Sequence, residues 1–328
     1  MCENARVGRL DTEAEIRQFW DRESETPSNI IWMADPRVRE YINERISGSP
    51  YVWPMDWFIP KLAGRRFQRG LSIGCGTGPF ERDLITRNLC DAVDAFDGSS
   101  VSIATARRLA SEAGVGDRIH YYVGDFNAPR LPRRTYDLVV FHQSLHHVAK
   151  LERLLRAVLR SMRPDGLLYL DEYVGPSRFD WNDQLIAPHR AWFYRHIPPA
   201  ARLHGPLTLP VHPDDPSEAL RSDEIFRQIS RGFRILDRRD YGGTLISVIF
   251  PMVKWDHLPD SVIPELIEAE RQMIQAGASS YYAVAIAAPK RGIAAVAAHV
   301  SYWVTSKLRR LRWEWRKLRA YPETDVKF

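Results

Sequence analysis

Short apolar segments alternate with amphipathic helical segments between about residues 65 and 175, and this alternation constrains the fold more than any other feature of the sequence. Parallel strands are joined by crossover helices, so the pattern predicts βαβ units in one parallel sheet. Five strands are predicted, at Gly70–Ile73, Asp91–Phe96, Ile119–Val123, Tyr136–Phe141 and Gly166–Tyr173, with helices between them at residues 80–88, 100–113 and 151–162.

The segments around this alternation extend the prediction to the whole chain. Arg163–Gly166 reads Arg-Pro-Asp-Gly, a sequence that ends a helix and turns into a strand. Two further strands, Phe233–Tyr241 and Tyr281–Ala288, complete a doubly wound, mostly parallel, seven-stranded Rossmann-like α/β sheet with helices on both faces. The predicted parts are an N-terminal helical lid segment at 1–62, the α/β domain at 63–289 with a proline-rich cap inserted at 175–231, and a basic amphipathic C-terminal helix at 290–328.

Charge is distributed unevenly along the chain. Residues 290–328 hold ten Lys/Arg and three Asp/Glu, which leaves 36 basic and 38 acidic residues in positions 1–289. A body that is slightly acidic offers no general surface for nucleic acid. The three cysteines have no metal-ligand spacing, and we expect no metal site. An N-terminus without an apolar signal core, in a chain without a long apolar run, predicts a cytoplasmic protein.

A glycine-rich turn follows the first predicted strand, where residues 71–78 read Leu-Ser-Ile-Gly-Cys-Gly-Thr-Gly. Glycines allow the turn and let a ligand approach the backbone. A dinucleotide fingerprint needs glycine at the position of Pro79, so a nicotinamide cofactor is disfavoured. Asp97 ends the second strand and can accept hydrogen bonds from both hydroxyls of a ribose. Asp125 is placed to accept from an adenine amino group, and Phe126 to stack on the ring.

These motifs, in this order, resemble the class I S-adenosylmethionine-dependent methyltransferases, in particular the bacterial group whose glycine loop reads IGCGTG. The resemblance covers about residues 65–175 and implies S-adenosylmethionine as cofactor and S-adenosylhomocysteine as product. An acidic residue commonly precedes the first glycine by two positions in that family, but here it is Ser72, so that contact falls to a water or another side chain. The cofactor-binding residues implied are Gly74, Cys75, Gly76, Gly78, Asp97, Gly98, Asp125, Phe126, His142 and Gln143.

Histidines and acids follow the fourth and fifth predicted strands, whose carboxyl ends meet at the ligand-binding edge of such a sheet. A sulfonium methyl group is already activated, so its in-line transfer needs alignment, exclusion of water and a deprotonated acceptor. His146 and Glu172 are the predicted catalytic residues, because histidine titrates near neutral pH and a carboxylate can orient it or take the proton itself. A purely structural role for both residues remains the alternative.

The substrate class is constrained mainly by what is missing. The strand-end motif [D/N]PP[Y/F] of base-nitrogen methyltransferases is replaced by residues 142–145, His-Gln-Ser-Leu, which disfavours nucleic acid. Cap residues combine aromatic and cationic side chains, a mixture that suits a sugar or an acidic molecule and equally a cap packed on itself. We expect O-methylation of a small molecule or glycan. A non-methylating reaction at the bound sulfonium needs the same binding residues, whereas intact acids at 97 and 125 argue against a degenerate cofactor sensor.

The C-terminal segment has an amphipathic pattern over residues 293–319. One hypothesis places this helix at the inner face of a membrane, where a lipid-linked glycan is the acceptor; the other packs it on the body or on a second subunit as a homodimer. Its predicted apolar stripe consists of Ile293, Ala297, Val300, Val304, Leu308, Leu311, Trp315 and Leu318.

Overall fold

The computed structural model describes residues 13–25, 32–203, 206–207, 215, 217–292, 294, 297–298 and 300–306. The predictions for residues 307–319, and for Ile293, lie outside this part of the chain. No helix among the described residues is long and apolar enough to cross a membrane.

Seven strands form one sheet in the order β3-β2-β1-β4-β5-β7-β6, and β7 alone runs antiparallel to its neighbours. The strands are β1 Phe67–Ile73, β2 Cys90–Asp97, β3 Ile119–Val123, β4 Tyr136–His142, β5 Met162–Tyr173, β6 Phe233–Gly242 and β7 Tyr282–Pro289. The predicted doubly wound fold is confirmed. The order reverses between β1 and β4, and at such a point a crevice opens at the carboxyl ends of the strands.

In the described part of the chain, ten α-helices before residue 290 surround the sheet, and a further helix includes residues 297–298 and 300–306. They are α1 Glu13–Glu25, α2 Pro36–Ser47, α3 Pro54–Phe58, α4 Pro79–Thr86, α5 Ser100–Glu112, α6 Leu151–Ser161, α7 Asp183–His196, α8 Ile225–Gly232, α9 Ile246–Ile249 and α10 Val262–Gln275. In α6, Leu151, Leu154, Leu155 and Val158 recur at spacings of three and four and are fully buried. This spacing explains why the segment packs as a helix on the sheet.

Each face of the sheet carries its own apolar core. One core joins the sheet to α2 to α5 and to the cap helix α7, and includes Tyr169 and Phe193. The other joins it to α6 and α8, and includes Phe141, Leu155 and Tyr302. Successive strand residues point to opposite faces, so both faces of the central strands are apolar, as expected for a sheet covered on both sides.

One local prediction is wrong. Arg163–Gly166 was expected to be a turn between the third helix and the fifth strand, but α6 ends at Ser161 and β5 already begins at Met162. The register of β4 against β5 shifts between Tyr136 and Leu138. Pro164 and Gly166 lie within the strand at this irregularity, so Pro164 interrupts no regular ladder of hydrogen bonds.

Candidate active site

The glycine-rich turn joins β1 to α4 and takes backbone angles that favour glycine, with φ of 74° at Gly74, 52° at Gly76 and 73° at Gly78. A Cβ atom at Gly74 would lie 2.3 Å from Cβ of Ser144, and one at Gly78 would lie 2.3 Å from the Tyr121 hydroxyl. A Cβ atom at Gly76 would meet nothing within 4 Å. Two glycines therefore serve packing, whereas Gly76 borders open space.

Asp97 connects the end of β2 to this turn. Its Oδ2 accepts a hydrogen bond from the backbone N–H of Gly76 at 2.9 Å, and its Oδ1 accepts one from that of Ser99 at 2.9 Å. Burial raises the pKa of Asp97, although these backbone donors lower it in part. A carboxylate has about four acceptor positions, so Asp97 can hold the turn and still accept from a ribose.

The segment after β3 lies on the other side of the turn. Asp125 Oδ1 accepts from the backbone N–H of Asn127 at 2.7 Å. The ring of Phe126 packs 5.7 Å from that of Phe96, and its Cζ lies 3.5 Å from the position of a Cβ at Gly74. The structure thus brings Asp97, Phe126 and the glycine turn together, while the adenine contact of Asp125 stays a prediction.

His146 and Glu172 form a buried pair at the ends of β4 and β5. Nδ1 of His146 lies 2.8 Å from Oε2 of Glu172, and Oε1 of Glu172 accepts from the backbone N–H groups of Ser144 at 2.7 Å and Leu145 at 2.6 Å. Glu172 has no exposed surface. Its oxygens are occupied by these donors, so it orients His146 and leaves the imidazole Nε2 as the group that can reach a ligand.

Acidic groups surround the free edge of His146. Nε2 lies 3.9 Å from Oε2 of Glu218, and Nδ1 of the next residue, His147, lies 3.6 Å from Oδ2 of Asp215. Burial alone would lower the pKa of His146, but Glu218, Glu172 and Asp215 raise it to about 9. Burial and the neighbouring His146 lower the pKa of His147. The pocket is therefore electronegative and suits a sulfonium cation.

Donor atoms of His146, His147 and Glu218 lie within 4.8 Å of one another, which gives these three side chains the spacing of a metal site. Their carboxylate and imidazole donors are of types that bind divalent cations. The predicted absence of a metal remains a prediction.

The helix α1, which belongs to the N-terminal segment predicted as a lid, covers this edge. Asp21 Oδ1 accepts from the Ser99 hydroxyl at 2.6 Å and from the backbone N–H of Val101 at 3.2 Å. The Trp20 ring lies edge-on to His147 with centroids 4.8 Å apart. One helix therefore contacts both the Asp97 side and the His146 side, which agrees with the lid expected for the N-terminal segment.

A second polar cluster lies at the ends of the same strands, β4 and β5. Oδ1 of Asp171 accepts from the Tyr241 hydroxyl at 2.6 Å and from Nε2 of Gln143 at 3.1 Å. His142 Nε2 lies 3.9 Å from Asp171 Oδ2, and Phe80 packs against His142 at 5.3 Å. His142 and Gln143 thus lie at the predicted edge, but Tyr241 comes from β6 and carries no recognisable sequence signal.

A buried carboxyl lies beside Ser72, where the family commonly has an acidic residue. Glu81, in the first turn of α4, is 1% exposed. Burial raises the pKa of Glu81 to about 7, and the nearby Ser72 side chain lowers it in part. Neither carboxyl oxygen has a hydrogen-bond partner among the described residues. Sequence reasoning missed Glu81 because nothing in its local pattern indicates that it points inward.

The aromatic side chains of the cap mostly pack inward. Phe193 has no exposed surface, and Trp181 is buried against His189 and Tyr281, with centroids 5.7 and 5.9 Å away. The Trp192 ring stacks on His196 at 4.5 Å. These contacts favour the cap packed on itself, of the two interpretations that the sequence leaves open.

Residues 71–170 match the family model described as a methyltransferase domain. This domain belongs to the class I S-adenosylmethionine-dependent methyltransferase superfamily. The predicted superfamily and cofactor are thereby confirmed. The matched span begins in β1 and ends in β5, so it contains the glycine turn, Asp97, Asp125 and His146.

Individual relatives match only part of this chain. A sterol 24-C-methyltransferase of Saccharomyces cerevisiae is 25% identical over 189 residues, 54% of this chain and 48% of the relative. A ubiquinone biosynthesis O-methyltransferase of Aeromonas salmonicida is 29% identical over 116 residues, 35% of this chain and 48% of the relative. The chain thus spans about half the length of the curated relatives that it matches.

Among solved structures, a geranyl diphosphate C-methyltransferase from Streptomyces coelicolor has a TM-score of 0.50 at 14% identity, with 86% of this chain and all of that chain covered. At this identity the similarity shows the fold alone.

Proposed function

We propose that the protein transfers the methyl group of S-adenosylmethionine to an oxygen of a small-molecule acceptor by in-line displacement. The observation that carries this proposal is the position of the buried His146–Glu172 pair beside the glycine turn and Asp97. Ser144, whose backbone N–H donates to Glu172, packs against Gly74 of the turn, and α1 contacts both Ser99 and His147, so the two sides of the pocket are close. A sulfonium bound by the turn would then face the imidazole.

Each member of the pair has a separate role in this mechanism. Because the pKa of His146 is about 9, its ring is mostly protonated near pH 7, and the base is the neutral fraction, which grows as the pH rises toward 9. In that form Nε2 takes the proton of the acceptor hydroxyl while the oxygen attacks the methyl group and S-adenosylhomocysteine leaves. Glu172 holds the ring through Nδ1 at 2.8 Å, which fixes Nε2 toward the acceptor. Glu172 is a positioning residue here rather than the proton acceptor, because its oxygens already bind the His146 ring and two backbone N–H groups.

In this proposal, α1 closes the pocket. Its Asp21 binds the start of α5 next to Asp97, and its Trp20 packs on His147. A helix held at both sides of the pocket excludes water from the sulfonium and restricts the acceptor.

The acceptor class draws on the relatives as well as the site. The names of two relatives, a sterol methyltransferase and a ubiquinone biosynthesis methyltransferase, both indicate lipophilic acceptors, one methylated at carbon and one at oxygen. The candidate acceptors therefore include lipophilic phenols and lipid-linked glycans, in addition to the free sugars expected from the cap composition. Nucleic acid is not expected, because residues 1–289 carry a slight net negative charge.

The test is a cofactor-consumption assay on the purified full chain with a panel of sugars, phenols, organic acids, sterols and lipid-linked glycans. S-adenosylhomocysteine must form together with a product 14 mass units heavier than the acceptor, about one methylene. Product formation without S-adenosylhomocysteine would favour the non-methylating alternative. Failure to bind S-adenosylmethionine in calorimetry would refute the proposal as a whole.

A further inference from the structure

The helix at residues 297–298 and 300–306 packs on the body through one face. Ala298 is 2% exposed and Tyr302 is 1% exposed, and the Tyr302 hydroxyl donates to the Gln228 carbonyl at 2.6 Å. The Tyr302 ring occupies space beside Gly232, where a Cβ would lie 2.9 Å from it. Arg231 adds hydrogen bonds to the hydroxyls on this face. These contacts fix the helix to α8.

The other face of this helix is apolar and exposed. Val300 is 56% exposed, Trp303 52% and Val304 38%, and Ala297 is exposed as well. These four residues recur at spacings of three and four, so they form one stripe. Ala297, Val300 and Val304 belong to the apolar stripe predicted from the sequence. These three residues of the stripe therefore do not make the contact between the helix and the body.

Exposed arginines lie on the elements next to this helix. They are Arg160 at the end of α6, Arg234 at the start of β6, Arg291 before the helix, and Arg227 on α8, which pairs with Glu224 at 3.0 Å. Residues 307–328, outside the described part of the chain, contain eight Lys/Arg and three Asp/Glu. An apolar stripe with a tryptophan and flanking cations matches the boundary between acyl chains and anionic headgroups.

We propose that Ala297, Val300, Trp303 and Val304 form a docking surface for an anionic lipid membrane. The inference goes beyond the proposed methyl transfer and rests on a different part of the molecule. A second copy of the chain is a poorer occupant, because residues 290–328 carry a net charge of +7 that would be brought against itself. Nucleic acid is also a poorer occupant, since phosphate contacts use the cations and leave the aliphatic stripe in water.

The experiment uses the full chain and sedimentation with two kinds of vesicle, one of phosphatidylcholine alone and one that also contains phosphatidylglycerol. We expect binding to the anionic vesicles at low salt and its loss at high salt. The combined variant Val300→Ser, Trp303→Ser and Val304→Ser should lower the bound fraction at least about tenfold, because it removes the buried apolar contact. Tyr302 is kept, so the helix stays attached to the body.

The matched control is Tyr51→Ser, which changes a side chain that is 81% exposed elsewhere on the surface and should leave vesicle binding unchanged. Equal binding of the triple variant, or equal binding to both kinds of vesicle, overturns the proposal. So does a concentration-dependent dimer that the triple variant abolishes in sedimentation velocity, or binding of RNA without binding of vesicles. Calorimetry with S-adenosylmethionine on the same samples keeps this outcome separate from a failure of the proposed methyl transfer.

Discussion

The cofactor half of the site is the glycine turn with Asp97, and the acceptor half is the cluster around His146. The two halves differ in how their residues come together. The glycine turn and Asp97 are 21 residues apart, joined by one βαβ unit, and the turn uses backbone geometry that glycine alone readily provides. Around His146 the partners are Glu172, 26 residues away, and a segment near Ser217 that also meets Trp20, 197 residues before it. Contacts between residues of one local motif can be predicted from a sequence, whereas the partners that the fold brings together from distant segments cannot.

The largest effect should come from the acceptor half. His146→Ala should lower turnover by about 10²- to 10⁴-fold, because no group then takes the proton of the substrate hydroxyl. The affinity for S-adenosylmethionine should change little. Single-turnover rates and calorimetry on the same variant check both statements. Exposed His120 provides the matched control, and His120→Ala should leave turnover unchanged.

Glu172→Gln separates positioning from proton transfer in the same half. The amide keeps an oxygen for the backbone donors but no longer favours one orientation of the His146 ring, so turnover should fall while the affinity for the acceptor stays nearly constant. If His146→Ala and Glu172→Gln both retain normal turnover with the true acceptor, alignment alone drives the transfer and the two halves are not chemically distinct.

Within the cofactor half, Gly74→Ala should cost about 2 to 5 kcal/mol of unfolding free energy. The new Cβ would lie 2.3 Å from Cβ of Ser144, at a φ of 74° that disfavours alanine. Gly76→Ala, at a φ of 52° with no neighbour within 4 Å, should cost only about 1 to 2 kcal/mol, from the backbone alone. Urea denaturation of both variants checks the difference, and equal losses would show that contact with Ser144 does not matter.

Sequence reasoning predicted the seven strands because parallel strands and their helices have distinct periodicities. It failed at Arg163–Gly166, since the local signal for a turn gave way to pairing of β5 with β4, a tertiary interaction. It named His146 and Glu172 from their places after strands, yet it could not find Glu218 or Tyr241. Those residues lie on the cap and on β6, and only the three-dimensional packing brings them to the pocket.

Glu81 tests whether the cofactor half contains a buried carboxyl whose ionisation lowers the stability of the protein. Burial raises the pKa of Glu81 to about 7, above its ordinary value of 4.5. The native state therefore holds the proton longer than the unfolded state, so this contribution to stability is full below about pH 4.5 and is lost as the pH rises through about 7. The loss is up to about 3 kcal/mol.

Glu81→Gln should remove that pH dependence, because glutamine does not titrate. Urea denaturation at several pH values should show the wild type losing stability relative to the variant between pH of about 4.5 and 7. A constant difference between the two proteins over this range would mean that Glu81 ionises in the native state as readily as in the unfolded chain.

The last prediction concerns Asp97, the residue that most clearly defines the cofactor half. Asp97→Ala removes the acceptor proposed for two ribose hydroxyls and the acceptor of the Gly76 N–H at 2.9 Å. It should weaken binding of S-adenosylmethionine by about 2 to 3 kcal/mol, the range for hydrogen bonds to a charged group, as calorimetry can measure. Asp91→Ala, at the opposite end of the same strand, removes a surface ion pair with Arg66 and should leave affinity unchanged. If a folded Asp97→Ala protein binds the cofactor normally, the ribose contact lies elsewhere, and the half that looked readable from local motifs depends on the fold as much as the half around His146.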